Sequence, residues 1–289
     1  MINLTPYNID SKDFLTKVVQ SKKKLKDETP PLYKHRIVPL SRKMLPAFEE
    51  YDDAFSLNSL HIVNASVTFT DDEKSDVLKL YQYDQKQFTL LKNAIVSRAN
   101  NCEDHTCQYC TINSVNTLDH IMPKNDYPEF CVHPKNLVPA CSQCNGKKST
   151  KWMTNGVFEF LNPYLHQLPK IQFLFVNVEY INGTFKVRYY LNNSNNYLPS
   201  YLFNIIENHF RNLDLLERYK QSAAKTISRF HNSIEGSLTT QSLSNALIGA
   251  RRTIQLNQAA FGFNQYENVL ALELCNGPAY RQYCHDQGY

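Results

Sequence analysis

Two Cys-x-x-Cys pairs, Cys107-Gln108-Tyr109-Cys110 and Cys141-Ser142-Gln143-Cys144, stand thirty residues apart near the middle of the chain. Each pair aims two sulfurs at one point. Two such turns complete a tetrahedron around a borderline-soft ion such as Zn²⁺. Four thiolates leave no open coordination position, so a zinc held this way is structural. In a short, loop-rich segment such a site can supply about 10 kcal/mol or more of folding free energy. The alternative, four reduced cysteines without metal, is disfavoured by the specificity of the double pair. Cys102, Cys131, His105 and His133 lie nearby, but the paired spacing selects Cys107, Cys110, Cys141 and Cys144.

Composition narrows the setting. Only Cys275 and Cys284 lie outside the central stretch that holds the other six cysteines. The opening residues, MINLTPYNIDSKDF, lack the basic start and apolar block of a secretory leader. No run of 18 apolar residues occurs, so no membrane span is expected. A cytoplasmic protein is the expectation, with its cysteines as metal ligands or free thiols rather than disulfides. The net charge of +4 is a mild pull toward an anionic partner.

The flanks read as mainly helical. The first 45 residues look irregular and basic, with SKKKLKD at 21–27, PPLYKHR at 30–36 and SRK at 41–43. They form either a solvated, proline-broken arm or one that contacts phosphate. Residues 46–58 suit a short helix and SVTF at 66–69 a strand or extended entry. Thr70 is an N-cap with Asp71, Asp72 and Glu73 in the first turn. A helix over 85–100 carries Phe88, Leu91 and Ile95 on one stripe. Beyond the proline-punctuated link at 162–170, residues 173–191 read as a β-hairpin about Asn182-Gly183. A linker at 192–200 precedes helical patterns over 201–235, with Gly236 at the end, and over 239–256 and 264–274. The chain therefore divides into a basic and helical region at 1–100, a zinc-stapled core at 101–155, and a hairpin-plus-helical region at 156–289.

Zinc alone does not account for what lies between and after the two pairs. Asp119-His120-x-x-Pro123 follows the first, Asn136-Leu137 precedes the second, and Asn145 and Lys148 follow it. In that order and spacing, residues 107–148 resemble the zinc-containing HNH endonucleases of the His-Me finger (ββα-metal) group. In place of the glycine-rich turn that many members carry between the histidine and the first asparagine, this chain has NDYPEFCVHPK. Its final metal-ligand position is Asn145 rather than histidine. The fold class implied is α+β: a central ββα-metal finger flanked by mainly helical regions, with a hairpin near 173–191.

The resemblance implies hydrolysis of DNA phosphodiester bonds, a reaction that needs a base for water, a Lewis acid and orientation. It makes His120 the general base, since imidazole titrates near neutrality. It makes Asp119 and Asn145 the oxygen ligands of one catalytic divalent ion, which suits Mg²⁺ or Mn²⁺. Asn136 fixes the histidine's backbone across the loop, and Lys147, Lys148 and Lys151 approach phosphate. Side chains alternate along a strand, so a bend after His120, aided by Pro123, is needed to bring Asp119 and His120 to one cleft. Each residue also has an ordinary reading: a core histidine, a turn cap, a turn asparagine, a solvated lysine face. Their joint order favours the enzyme over a zinc-stabilised nucleic-acid-binding module without catalysis.

Stand-alone proteins of this kind resemble effector nucleases of bacterial anti-phage systems. Mobile-element and restriction endonucleases are the alternative settings. No Gly-x-x-x-x-Gly-Lys-Ser/Thr loop occurs in the sequence, so an energy-using ATPase or sensor partner would be a separate chain. The helical C-terminal part offers a surface for such a partner or for a second copy.

Overall fold

The structure is a computed structural model that describes residues 1–23, 28–99 and 102–289. Residues 24–27 of the basic run and Asn100 of the expected 85–100 helix lie outside the described residues. In chain order the elements are α1 (Ser11–Gln20), α2 (Tyr33–Ser56), α3 (Asp71–Leu78), α4 (Lys86–Ile95), β1 (Ser97–Ala99), β2 (Cys102–Asp104), β3 (Thr117–His120), β4 (Leu137–Ala140) and α5 (Ser142–Lys148). The second half holds β5 (Met153–Thr154), β6 (Val157–Phe158), β7 (Leu174–Ile181), β8 (Thr184–Leu191), α6 (Ser200–Asn212), α7 (Leu215–Leu238), α8 (Leu243–Phe261), α9 (Tyr266–Asn276) and α10 (Pro278–Asp286). Among the described residues the strands form four two-stranded antiparallel ribbons: β1–β2, β3–β4, β5–β6 and β7–β8. The class is α+β.

Within the first 45 residues, 11–20 and 33–45 are helical rather than an irregular arm. Asp10 caps α1, accepting from the N–H groups of Lys12 and Asp13, and Phe14, Leu15, Val18 and Val19 are buried on one face. The helix expected at 46–58 is the second half of a longer one, α2, which contains Pro39 and Pro46. A proline inside a helix costs about 3 kcal/mol. The buried stripe Tyr33, Ile37, Leu40, Met44, Ala47, Phe48, Tyr51 and Ala54 recurs at helical spacing. Each large side chain in it contributes about 1.5–3 kcal/mol, so the stripe outweighs both prolines.

Thr70 caps α3 as expected, in a capping box with Glu73. Residues 66–69, read as a strand or extended entry, form no strand. α4 ends at Ile95, where the chain enters β1. The pattern over 201–235 is two helices, α6 and α7. They are separated at Asp214, whose left-handed backbone (φ 51°) breaks the helical run, and Gly236 lies inside α7 rather than after it. The β7–β8 hairpin turns at Asn182-Gly183, both with positive φ, and pairs Ile181 with Thr184. That conformation matches the twist of the flanking strands.

Buried side chains from the N-terminal helices, the cysteine region and the C-terminal helices form one continuous core, which includes all four paired cysteines. A second cluster joins α2 to the β3–β4 loop through Tyr51, Met122 and Phe130. No helix among the described residues is long and apolar enough to cross a membrane.

Candidate active site and metal centre

Backbone bonds shape the first cysteine turn. The N–H of Cys107 donates to Asn113 O at 2.8 Å, and those of Cys110 and Thr111 donate to Cys107 O at 3.2 and 2.7 Å. In the second turn Cys141 caps α5, its sulfur accepting from Cys144 N–H at 3.4 Å. The four buried sulfurs lie within 4.8 Å of one another, those of Cys110 and Cys141 3.9 Å apart. Tetrahedral zinc with Zn–S bonds of about 2.3 Å sets its sulfurs about 3.8 Å apart, so the quartet fits that ion.

Further donors surround the sulfurs: Ile112 N–H to Cys110 at 3.4 Å, Asn113 Nδ2 to Cys141 at 3.7 Å and Arg218 Nη1 to Cys144 at 3.5 Å. They offset the excess negative charge of a four-thiolate site. Crowding sets the thiols against each other. Hydrogen bonding with Cys110 pushes Cys107 up, while Cys107 draws Cys110 down to about 7. A cation at the centre relieves that opposition. The nearby spares stand apart: Cys131 reaches Val77 O, His133 packs against Phe48 and Tyr51, and His105 pairs with Glu103.

β3, β4 and α5 make a ββα unit. β3 pairs with β4 from Thr117↔Ala140 to His120↔Leu137, and Cys141 leads directly into α5. β3 ends at His120, and the chain turns at Pro123, whose carbonyl accepts from the N–H groups of Asp126 and Tyr127. Asp119 and His120 thereby line one pocket of about 240 Å³ with Asn145, Tyr81, Thr117 and Lys124.

His120 is 8% exposed, and its Nε2 lies 2.8 Å from Cys131 O. A carbonyl oxygen only accepts, so Nε2 carries the hydrogen and Nδ1 carries the free lone pair. Burial lowers this histidine to about 3; Lys124 and Lys148 also disfavour its cation, while the Cys131 carbonyl pulls the other way. The ring is therefore neutral at physiological pH and can accept a proton, although the same burial makes it a weaker base than a free imidazole.

Asp119 is 2% exposed. Tyr109 Oη donates to its Oδ2 at 2.9 Å, and Lys148 Nζ lies 3.4 Å from the same oxygen. Burial raises this carboxyl, against the pull of Lys148, Tyr109 and the His120 N–H. Asn145 Nδ2 donates to Thr117 Oγ1 at 3.1 Å, which leaves its Oδ1 without a hydrogen bond among the described residues. Two oxygen donors in one small pocket fit a hard divalent cation that keeps several waters.

Asn136 is fully buried and its amide is fully used. Its Oδ1 accepts from Met122 N–H (2.8 Å) and Tyr51 Oη (3.2 Å), and its Nδ2 donates to Met122 O (3.1 Å) and Phe130 O (3.0 Å). It holds the loop beyond His120 at Met122, while its own carbonyl accepts from Ile121 N–H at 2.9 Å.

The lysines differ most from the sequence reading. Lys148 does not face solvent: it is 2% exposed and donates to His120 O at 2.6 Å. Its long stem lets the ammonium reach back from α5 to β3 instead of outward. Lys147 pairs with Asp214 on the surface, and Lys151 is exposed beyond α5. Lys124 lines the pocket, half-buried, its ammonium 5.1 Å above the Tyr81 ring and in no ion pair among the described residues. The Tyr81 ring in turn meets His120 edge-on at 4.7 Å, and its hydroxyl donates to Leu118 O at 3.0 Å. Sequence reasoning missed Lys124, Tyr109 and the site role of Tyr81. Only the position of Lys124 next to Pro123 and that of Tyr109 inside the Cys-x-x-Cys offered a signal.

Residues 107–151 match the HNH endonuclease family, so this ββα unit is an HNH domain. The chain is 30% identical to protein ea31 of Escherichia phage lambda over 125 residues, 42% of each chain. It is 36% identical to Septu protein PtuB of Bacillus thuringiensis over 61 residues, 21% of this chain and 24% of that one. This chain thus spans less than half the length of either relative. No solved structure gives a significant match.

Proposed function

We propose that this chain is a metal-dependent HNH endonuclease that hydrolyses DNA phosphodiester bonds. The observation that carries the reading is the convergence of His120, Asp119 and Asn145 on one pocket at the end of the ββα unit. Asp119 and Asn145 would hold a Mg²⁺ or Mn²⁺ ion, which supplies Lewis-acid stabilisation of the phosphate and leaving oxygen. His120 accepts the proton of the attacking water at Nδ1, while the Cys131 carbonyl holds Nε2–H and the ring orientation. Asn136 positions the loop behind the histidine. Lys148 locks the backbone of His120, and Lys124, rather than Lys148, offers its charge to the substrate phosphate, with Lys147 and Lys151 further out. The structural ion is zinc, bound by Cys107, Cys110, Cys141 and Cys144.

The similarity to Septu protein PtuB supports a place as the effector nuclease of a bacterial anti-phage system. In that setting we propose a cytoplasmic protein acting with a separate ATPase or sensor chain. The similarity to a phage lambda protein supports a second setting, a nuclease carried by a mobile element. Purified protein incubated with supercoiled plasmid and Mg²⁺ or Mn²⁺ tests the activity. Nicked or linear product that EDTA abolishes supports it. Intact plasmid under all conditions, including with the partner chain supplied, leaves a zinc-stabilised DNA-binding module.

A further inference from the structure

We infer that Tyr109 is a positioning residue that couples the zinc knuckle to the metal-binding carboxylate, so that Asp119 meets its divalent ion through Oδ1. This inference rests on the nuclease reading of the pocket. Tyr109 sits between the two cysteines of the first pair and is 2% exposed. Its backbone is held twice. The knuckle turn closes around it through Cys107 O, and its carbonyl accepts from His209 Nε2 at 2.7 Å. His209, on α6, is itself fully buried, and its Nδ1 accepts from Leu161 N–H at 3.3 Å. With one ring nitrogen accepting and the other donating, that imidazole is locked in one tautomer. Its ring also packs edge-on against the Tyr109 ring at 5.6 Å.

The phenol therefore has little freedom, and it spends its hydroxyl on Asp119 Oδ2 at 2.9 Å. A phenol carries its proton at neutral pH and so donates to the carboxylate. Lys148 approaches the same oxygen at 3.4 Å. The two side chains that reach the carboxylate both sit on Oδ2, and the other donor near it is the backbone N–H of His120. Oδ1 has no side-chain partner among the described residues and is the atom left for the cation. A closed four-cysteine zinc performs no chemistry of its own. Through Tyr109 it fixes where the neighbouring site's carboxylate points, as residues behind a metal ligand commonly do.

Tyr109→Phe keeps the ring and removes only the hydroxyl. Tyr164→Phe is the matched control: Tyr164 is also buried, and its hydroxyl donates to Leu137 O of β4 at 2.6 Å without touching Asp119. The full chain and both variants are compared by Mn²⁺ titration in electron paramagnetic resonance, without DNA, beside elemental analysis for zinc. The expected result is unchanged zinc in all three and Mn²⁺ affinity weakened about tenfold in Tyr109→Phe alone. Equal Mn²⁺ affinity in wild type and Tyr109→Phe overturns the inference. So does zinc loss from Tyr109→Phe, which would place the hydroxyl's role in the knuckle itself, or an equal loss in Tyr164→Phe. A wild-type protein that binds no Mn²⁺ overturns the site reading beneath it.

Discussion

Lys148→Ala separates the structural account from the motif-based one. In the structure the ammonium is 2% exposed and holds two groups of β3: the carbonyl of His120 at 2.6 Å and the carboxylate of Asp119 at 3.4 Å. Removing one partner of a buried charge pair costs about 3–5 kcal/mol, because the other is left unpaired. An unfolding entropy of about 2.1 cal/mol/K per residue gives about 0.6 kcal/mol per degree for 289 residues. The melting temperature should therefore fall by about 5–8 °C. Lys148→Met, which keeps the stem, should lose most of the same amount, because the packing remains and the pairing does not. Circular-dichroism melts measure the stability, and DNA titrations at several salt concentrations measure the phosphate contacts. If both variants melt with the wild type while DNA affinity and its salt slope drop, Lys148 faces substrate and the buried clamp described above is wrong.

Lys124→Ala should behave in the opposite way, with an unchanged melt and a salt slope of log affinity reduced by about 0.9, the share of one phosphate contact; an unchanged slope would remove Lys124 from the substrate path. One zinc per chain should survive purification under reducing conditions, and Cys141→Ser should yield little soluble protein; metal-free wild type by elemental analysis would contradict the zinc assignment. Burial holds His166 and His209 at about 4, below the ordinary imidazole value, so the unfolded chain binds protons there that the folded chain does not. Stability from these two groups is fully present above about pH 6.5 and is lost as pH falls through about 4, up to about 3 kcal/mol each. Thermal melts across that window should show the decline, and His209→Gln should flatten it; a Tm that rises on acidification would reverse the sign.

The sequence disclosed the site better than its surroundings. The cysteine pairs are legible from local spacing, and the Asp119-His120 and Asn145 positions from the resemblance to HNH endonucleases; the structure groups the four sulfurs and lines one pocket with those three residues. What escaped depended on distant partners. Pro39 and Pro46 argued against a long α2, and only the core contacts of its apolar stripe overrule them. The split between α6 and α7 rests on one left-handed residue, Asp214, in a stretch whose apolar periodicity runs on without interruption. Asn155-Gly156 carries the same turn signal as Asn182-Gly183, with positive φ at both residues. Its β5 and β6 strands are only two residues long, too short to register as alternation. Lys148 looked like a surface lysine because composition does not reveal which way a four-carbon stem turns. Truncation of residues 1–30 would not test a basic arm cleanly, since it would remove Phe14, Leu15 and Val18 from the core.

The central claim is that His120 takes a proton from water at a metal site built by Asp119 and Asn145. The most direct measurement is the plasmid cleavage rate of His120→Ala beside wild type, at Mn²⁺ concentrations up to saturation and with any required partner present. The account predicts a loss of about 10²- to 10⁴-fold that added Mn²⁺ does not restore, with zinc content and fold intact. Cleavage by His120→Ala at the wild-type rate would contradict it.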